Sequence, residues 1–241
     1  MQTVTAHHDD GIEWLELDSP PVNALSAPMV EQLITALDRC AQDDGVRVVV
    51  LGGRGRHFCA GADLREQRDG TSGAADLGPR LYAALLGFPK PIIAMAHGAV
   101  AGAGLSIVSC CDVALAATGT RISLPEIDVG VLGGTSHART RLSTAMVGYL
   151  ALTGEPVRVE RLGGATPFLE VVEPGALRER VAAVARTIAR KDPVAARYTK
   201  WCLRETQALG QLAGYEREHE LSQELRASGV TARLVDAFLD R

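Results

Sequence analysis

Two stretches of this sequence consist largely of small residues and stand where a backbone can do chemistry. The first is His57-Phe58-Cys59-Ala60-Gly61-Ala62-Asp63-Leu64, and the second is His97-Gly98-Ala99-Val100-Ala101-Gly102-Ala103-Gly104. Small side chains let a ligand approach the main chain closely, and the first turn of a helix offers N–H groups that no intrahelical carbonyl satisfies. Two such N–H groups converging from separate segments can hold the oxygen of a developing enolate. The same composition also serves tight turns and close strand-on-helix packing, and residue types alone leave both readings open. A nucleotide loop fits poorly, because Gly102-Ala103-Gly104 lacks the third glycine of GxGxxG and no GK[ST] occurs. Ser106 is not in a GxSxG elbow.

Few polar residues accompany these stretches. Glu126 follows Pro125 at an expected helix start, where a carboxylate complements the helix dipole. Ser106, early in an expected helix, can bond a carbonyl one turn back. Asp63 is placed to cap or brace its loop, Asp112 to anchor a turn, and His57 and His97 to support the small-residue segments.

The elements that must position these residues follow from periodicity and breakers. Gly11–Asp18 reads as a strand near an edge, ended by Pro20-Pro21. A helix begins near Ser26 and Pro28, carries Val30, Leu33, Leu37 and Ala41 on one stripe, and stops at Asp43-Asp44-Gly45. The β-branched run Val46–Leu51 predicts a buried strand, followed by a loop over Gly52–His57. The rhythm then repeats: helix Leu77–Leu86, strand Pro91–Ala96, loop His97–Gly104 and helix Leu105–Cys111. Strands at Asp112–Ala117 and Ile122–Leu124, a helix at Thr144–Leu152 and a last strand at Phe168–Val172 complete it. From Gly175 the pattern is helical only, with a stripe of Leu177, Val181, Val184 and Ile188 and a break at Asp192-Pro193. Strand–helix alternation predicts an α/β core over 1–174 and a helical segment over 175–241.

Bulk properties narrow the function. The 241 residues are 46% hydrophobic, 22% charged and only 4% aromatic, so the core is largely aliphatic. A net charge of −4 without a basic run argues against nucleic acid. No apolar run reaches the ~20 residues of a membrane span, and the first residues lack a signal-peptide core; a cytoplasmic protein is expected. Five cysteines without a CxxC predict reduced, buried thiols and no zinc site.

Four ordered segments carry a more specific reading: Pro20-Pro21-Val22-Asn23-Ala24-Leu25; Phe58–Leu64; Lys90-Pro91-Ile92-Ile93-Ala94 through His97-Gly98 to Cys111-Asp112-Val113; and Leu124-Pro125-Glu126-Ile127 with Val129-Gly130. Together they resemble the crotonase (enoyl-CoA hydratase/isomerase) superfamily. The resemblance implies an α/β spiral of ββα units, with C-terminal helices that build a homotrimer or a dimer of trimers. It also implies acyl-CoA substrates, with no nucleic acid, membrane, metal or separate cofactor, since the thioester is itself the electron sink. It assigns the oxyanion donors to the N–H groups of Ala62 and Ala103 and the acid/base to Glu126. Ala60, Gly61, Asp63, Leu64, Gly102, Gly134 and His137 fall around the substrate, and Lys200 either contacts a CoA phosphate or is solvated. Ser106 stands where hydratases of the family carry a second glutamate. That departure favours a one-carboxylate reaction, such as an isomerisation. It leaves open C–C cleavage, which Gly130–His137 resembles in a ring-opening hydrolase, or a weakened acyl-CoA-binding subunit.

Overall fold

The run of valines near residue 48 forms the centre of the molecule. In the computed structural model, which describes residues 2–68, 74–163 and 166–240, it is β3 (Val48–Gly53), buried at every position. Its parallel neighbours are β2 (Ile12–Leu17) and β4 (Ile92–Ala96). Beyond β4 lie β6 (Val113–Ala117) and β9 (Glu170–Val172), also parallel. On the other side β1 (Val4–Asp9) pairs antiparallel with β2 through a tight turn at Asp10 (φ 47°) and Gly11 (φ 76°). β2 therefore lies next to the edge strand, near the edge as its sequence suggested. Only Val4 of β1 is buried, so β1 carries no apolar alternation from which to read it.

A second sheet joins β5 (Ala99–Ala101), β7 (Arg121–Ser123) and β8 (Val157–Arg158). β5 lies inside the segment expected to be a loop. Two isolated parallel bridges, Leu25 to Ala62 and Cys59 to Val100, carry the same pattern to earlier parts of the chain. Each turn of the chain thus runs along the large sheet, touches the small one and returns through a helix. These helices are α1 (Ala27–Gln42), α2 (Leu64–Arg68) with α3 (Ala74–Leu86), and α4 (Ala103–Cys110). Then come α5 (Thr135–Ala138), α6 (Thr144–Thr153) and α7 (Leu177–Ala189), followed by α8 (Pro193–Thr206), α9 (Gln211–Ala227) and α10 (Val230–Leu239).

Both faces of the large sheet are covered, which is why its strands read as unbroken apolar runs. Leu15, Leu17, Val49 and Leu51 pack with Met29, Leu33 and Leu37 of α1 and Leu81 and Leu85 of α3. The alternate residues Ile12, Trp14, Val48 and Val50 pack against Leu177, Val181, Ala182 and Ala185 of α7. Strand signals end before residue 175, yet α7 is a layer of the core. No helix among the described residues is long and apolar enough to cross a membrane.

The Asp192-Pro193 break is a helix start: Asp192 Oδ1 accepts from the N–H groups of Val194 and Ala195, and Pro193 takes a position where no N–H is needed. α8 is fastened by a buried ion cluster. Lys200 is only 3% exposed; its Nζ lies 2.9 Å from Asp112 Oδ2 and donates to the Lys90 carbonyl at 2.7 Å. Arg204 donates to Asp112 Oδ1 (3.1 Å) and to the Cys110 carbonyl, and Asp112 Oδ2 accepts from the Ile92 N–H. Lys200 is therefore neither solvated nor free to meet a phosphate. Its buried side chain ends on Asp112 instead. Removing one member of such a cluster leaves charge buried without its partner. Asp112→Ala is expected to lower unfolding stability by about 3 kcal/mol in urea titration, and a loss below ~1 kcal/mol would show that the cluster does not fasten α8.

Candidate active site

The two small-residue segments meet side by side. The Cys59 N–H donates to the Ala99 carbonyl (3.1 Å) and the Ala101 N–H to the Cys59 carbonyl (2.9 Å). One turn earlier, Leu25 N–H donates to the Gly61 carbonyl and Asp63 N–H to the Leu25 carbonyl, both at 2.8 Å. A residue between two such bonds turns its own N–H to the opposite side. Ala62 is that residue, and its N–H meets no acceptor among the described residues. Ala103 opens α4, so its N–H is one of the orphan donors of a helix start, likewise without an acceptor there. Gly61 (φ 104°) brings the segments together: a Cβ on it would lie 3.4 Å from the Ala101 carbonyl oxygen and 4.0 Å from the Ala103 nitrogen. At Gly104 a Cβ would stand 2.5 Å from the Cys59 carbonyl oxygen. The close-packing reading and the donor-pair reading of these residues are one arrangement.

The opposite end of α4 is held by two guanidinium groups. Arg141 donates to the carbonyls of Ser109 (3.2 Å) and Cys111, and Arg204 to that of Cys110. Cations there satisfy terminal carbonyls and complement the helix dipole.

Glu126 sits on a single 3-10 turn, Pro125–Val129, directly after β7. Its carboxyl lies against Gly102, the residue before the Ala103 donor: a Cβ at Gly102 (φ 51°) would be 2.6 Å from Oε1. Oε2 is buried without a hydrogen-bond partner among the described residues. Burial pushes this carboxyl above its ordinary pKa. An underbonded carboxylate, desolvated beside an N–H pair, is suited to exchanging protons with whatever those donors hold.

Ser106 is fully buried one turn into α4, with Oγ 3.5 Å from the Gly102 carbonyl. It faces Gly134, whose Cβ would lie 3.4 Å from that hydroxyl. His137, on α5 just beyond, is partly buried, and burial lowers its pKa, favouring the neutral ring. Tyr82 of α3 completes this wall and was missed from sequence. Its ring centroid is 4.2 Å from that of His137, and the Ser106 hydroxyl lies beside its phenol, whose pKa burial pushes up to about 12. The only signal was a phenol beside Leu81 in a chain poor in aromatics, which the helical stripe absorbs as core.

The structure thus gathers Gly61, Ala62, Gly102, Ala103, Ser106, Glu126, Gly134 and His137. Asp63 instead braces the start of α2: its Oδ1 accepts from the Arg65 N–H (3.0 Å), and the Arg65 guanidinium holds its carboxyl below the usual range. Leu64 is 51% exposed at the rim, and Ala60 is tied through its N–H to the Val22 carbonyl. His57 Nδ1 accepts from the Ala99 N–H and His97 Nε2 bonds the Gly55 carbonyl, so both histidines support the loops. A surface groove of about 510 Å³ lined by Val4, Ala6, Gln32 and Arg39 among others lies apart from this constellation. Among the described residues no group of three or more His, Cys, Asp or Glu side chains could hold a metal.

Known proteins match the chain over nearly its whole length. A family model described as enoyl-CoA hydratase/isomerase covers residues 7–241. The 2,3-dehydroadipyl-CoA hydratase of Escherichia coli is 32% identical over 100% of this chain and 97% of its own. A (7aS)-7a-methyl-1,5-dioxo-2,3,5,6,7,7a-hexahydro-1H-indene-carboxyl-CoA hydrolase of Mycobacterium tuberculosis is 29% identical over the full length of both. The crystal structure of an enoyl-CoA hydratase from Mycobacterium smegmatis superposes with a TM-score of 0.90 at 27% identity, covering 100% of this chain and 97% of that one. With the fold, the paired small-residue segments and the glutamate after β7 all in place, the chain belongs to the enoyl-CoA hydratase/isomerase family of acyl-CoA enzymes, within the crotonase superfamily.

Proposed function

We propose that the protein binds an acyl-CoA, holds its thioester oxygen between the N–H groups of Ala62 and Ala103, and moves protons at the adjacent carbons with Glu126. The observation that carries this reading is the buried carboxyl of Glu126 against Gly102, its Oε2 without a partner among the described residues, one residue from a helix-start N–H that likewise meets no acceptor there. Polarising the thioester lowers the cost of an enolate by about 3 kcal/mol per donor. The thioester is the electron sink, so the reaction draws on no further cofactor. Glu126 takes the proton from one carbon and returns it to the same or another.

Water-adding enzymes that split activation and protonation between two carboxylates need a second acid here. This chain offers the buried hydroxyl of Ser106, whose pKa lies far above neutrality. One carboxylate suffices for moving a proton between α and γ carbons. Cleavage of a C–C bond in a keto-thioester is the second reading. It is favoured by the neutral polar wall of Tyr82, Ser106 and His137, and by likeness to the Mycobacterium tuberculosis hydrolase.

The exposed apolar residues of the last helices support assembly. Leu212, Tyr215, Leu234, Phe238 and Leu239 face outward on α9 and α10. They are the surface through which subunits join as a trimer or a dimer of trimers. Light scattering is expected to give one of these masses, and a stable monomer at micromolar concentration would contradict it.

Solvent deuterium exchange into an acyl-CoA, read by mass spectrometry, tests the proton transfer whichever acyl group is native. Glu126→Gln is expected to slow exchange and turnover at least ~100-fold, while thioester affinity changes far less. The base works only when deprotonated, and burial raises its pKa, so kcat/KM should rise with pH through a midpoint above the ordinary 4.5. The variant should lose that limb. Near-wild-type exchange in the variant would remove Glu126 from the chemistry.

A further inference from the structure

We infer that Tyr82, Ser106 and His137 form a recognition wall for an oxygen atom on the acyl group, so that the enzyme selects acyl-CoAs bearing a carbonyl or hydroxyl near the thioester over plain hydrocarbon chains. The inference rests on the reading just given and specifies its substrate class. Three side chains from three elements converge here: Tyr82 from α3, Ser106 from α4 and His137 from α5. Their polar atoms are only partly used by the protein. Among the described residues Ser106 Oγ reaches the Gly102 carbonyl only at 3.5 Å, the limit of a hydrogen bond, and shares a hydrogen bond with the Tyr82 phenol. Neither ring nitrogen of His137 has a hydrogen-bond partner among the described residues; its ring contact is with Tyr82 at 4.2 Å. Burial keeps the phenol of Tyr82 protonated, and the hydrogen-bonded pair of Tyr82 and Ser106 hydroxyls retains one O–H and several lone pairs beyond the bond they share.

The wall is placed to meet the acyl group. Ser106 is three residues after the Ala103 donor on the same helix, so its side chain lies about one turn, 5–6 Å, from that end. Gly134, also against Ser106, brings α5 to within 3.6 Å of the Gly102 carbonyl, measured from the position a Cβ would take. An atom two or three bonds beyond a thioester carbonyl held at Ala103 falls between these groups. A purely aliphatic chain there would leave the outward hydrogen-bonding capacity of the hydroxyl pair and of the imidazole facing hydrocarbon. A site built to hydrogen-bond an oxygen discriminates strongly against the analogue lacking it, because its own polar groups are then left unpaired. Both hydroxyls and the neutral imidazole can donate as well as accept, so the wall accepts either a carbonyl or a hydroxyl.

Calorimetric titration with butyryl-CoA and acetoacetyl-CoA tests this, since the two share a four-carbon acyl chain and differ by one carbonyl. The unmodified protein is expected to bind acetoacetyl-CoA at least ~10-fold more tightly. Tyr82→Phe keeps the ring against His137 and removes the hydroxyl. It is expected to cut that preference to less than ~3-fold by weakening acetoacetyl-CoA binding, with butyryl-CoA bound as tightly or more tightly, and an unchanged circular dichroism spectrum and thermal midpoint control for folding. The donors at Ala62 and Ala103 and the Glu126 carboxyl remain in the variant, so a preference arising from them would survive. A preference that survives Tyr82→Phe, or none in the unmodified protein, overturns the wall and leaves the proposed chemistry standing. Failure of the unmodified protein to bind either thioester would instead overturn the acyl-CoA reading, and the wall with it.

Discussion

A methyl group cannot exist at residue 104. It would stand 2.5 Å from the carbonyl oxygen of Cys59, and much of the site depends on that approach. With glycine there, α4 begins directly against the segment from Cys59 to Ala62, and the bridge from Cys59 to Val100 fixes how the two slide past each other. Gly61 and Gly102 extend the contact on either side, the one facing the Ala103 nitrogen and the other the Glu126 carboxyl. Neither donor is made by a polar side chain. Each N–H is left over from a regular hydrogen-bond pattern: one on the free side of a bridge, one at the first turn of a helix. Donors of this kind are fixed before substrate arrives, so no reorganisation is needed as charge develops.

The same helix joins chemistry to stability. Its N-terminal end supplies a donor, while its C-terminal carbonyls are taken by Arg141 and Arg204. Arg204 also bonds Asp112, which holds Lys200 and the start of β4. α8 is thereby tied to the far end of the helix that carries the proposed oxyanion donor. The cluster positions α4 and does not touch the reacting atoms. Glu126 is the reverse case: its Oε2 has no partner among the described residues and burial shifts the carboxyl toward protonation, a local cost in stability that suits the proton transfer proposed for it.

How much of this could be read in the sequence follows from where the physics is local. Val46–Leu51 announced β3 because a strand buried on both faces must be apolar throughout, and Ser26 with Pro28 announced α1 because helix starts have their own chemistry. The ordered motifs marked out the segments of Ala62, Ala103 and Glu126, which the fold brings together. β1 was not, since one buried valine gives no period, and β5 was not, since three small residues look like a loop until β7 pairs with them. Lys200 misled for a different reason: nothing near it in the chain reveals that Asp112 waits across the core. Tyr82 was hidden because a helical stripe tells which face is buried, and not that Ser106 and His137 meet a phenol there.

The central claim is that a thioester oxygen sits between the N–H groups of Ala62 and Ala103. The most direct measurement is the infrared stretch of a ¹³C-labelled thioester carbonyl in butyryl-CoA, taken as the difference between bound and free. Two fixed donors should move the band to lower wavenumber than in water. The shift should persist in Ala103→Gly, which keeps the main-chain donor, and in Glu126→Gln, which leaves both donors in place. A bound thioester whose carbonyl band stays at its aqueous position, or moves to higher wavenumber, would contradict the account.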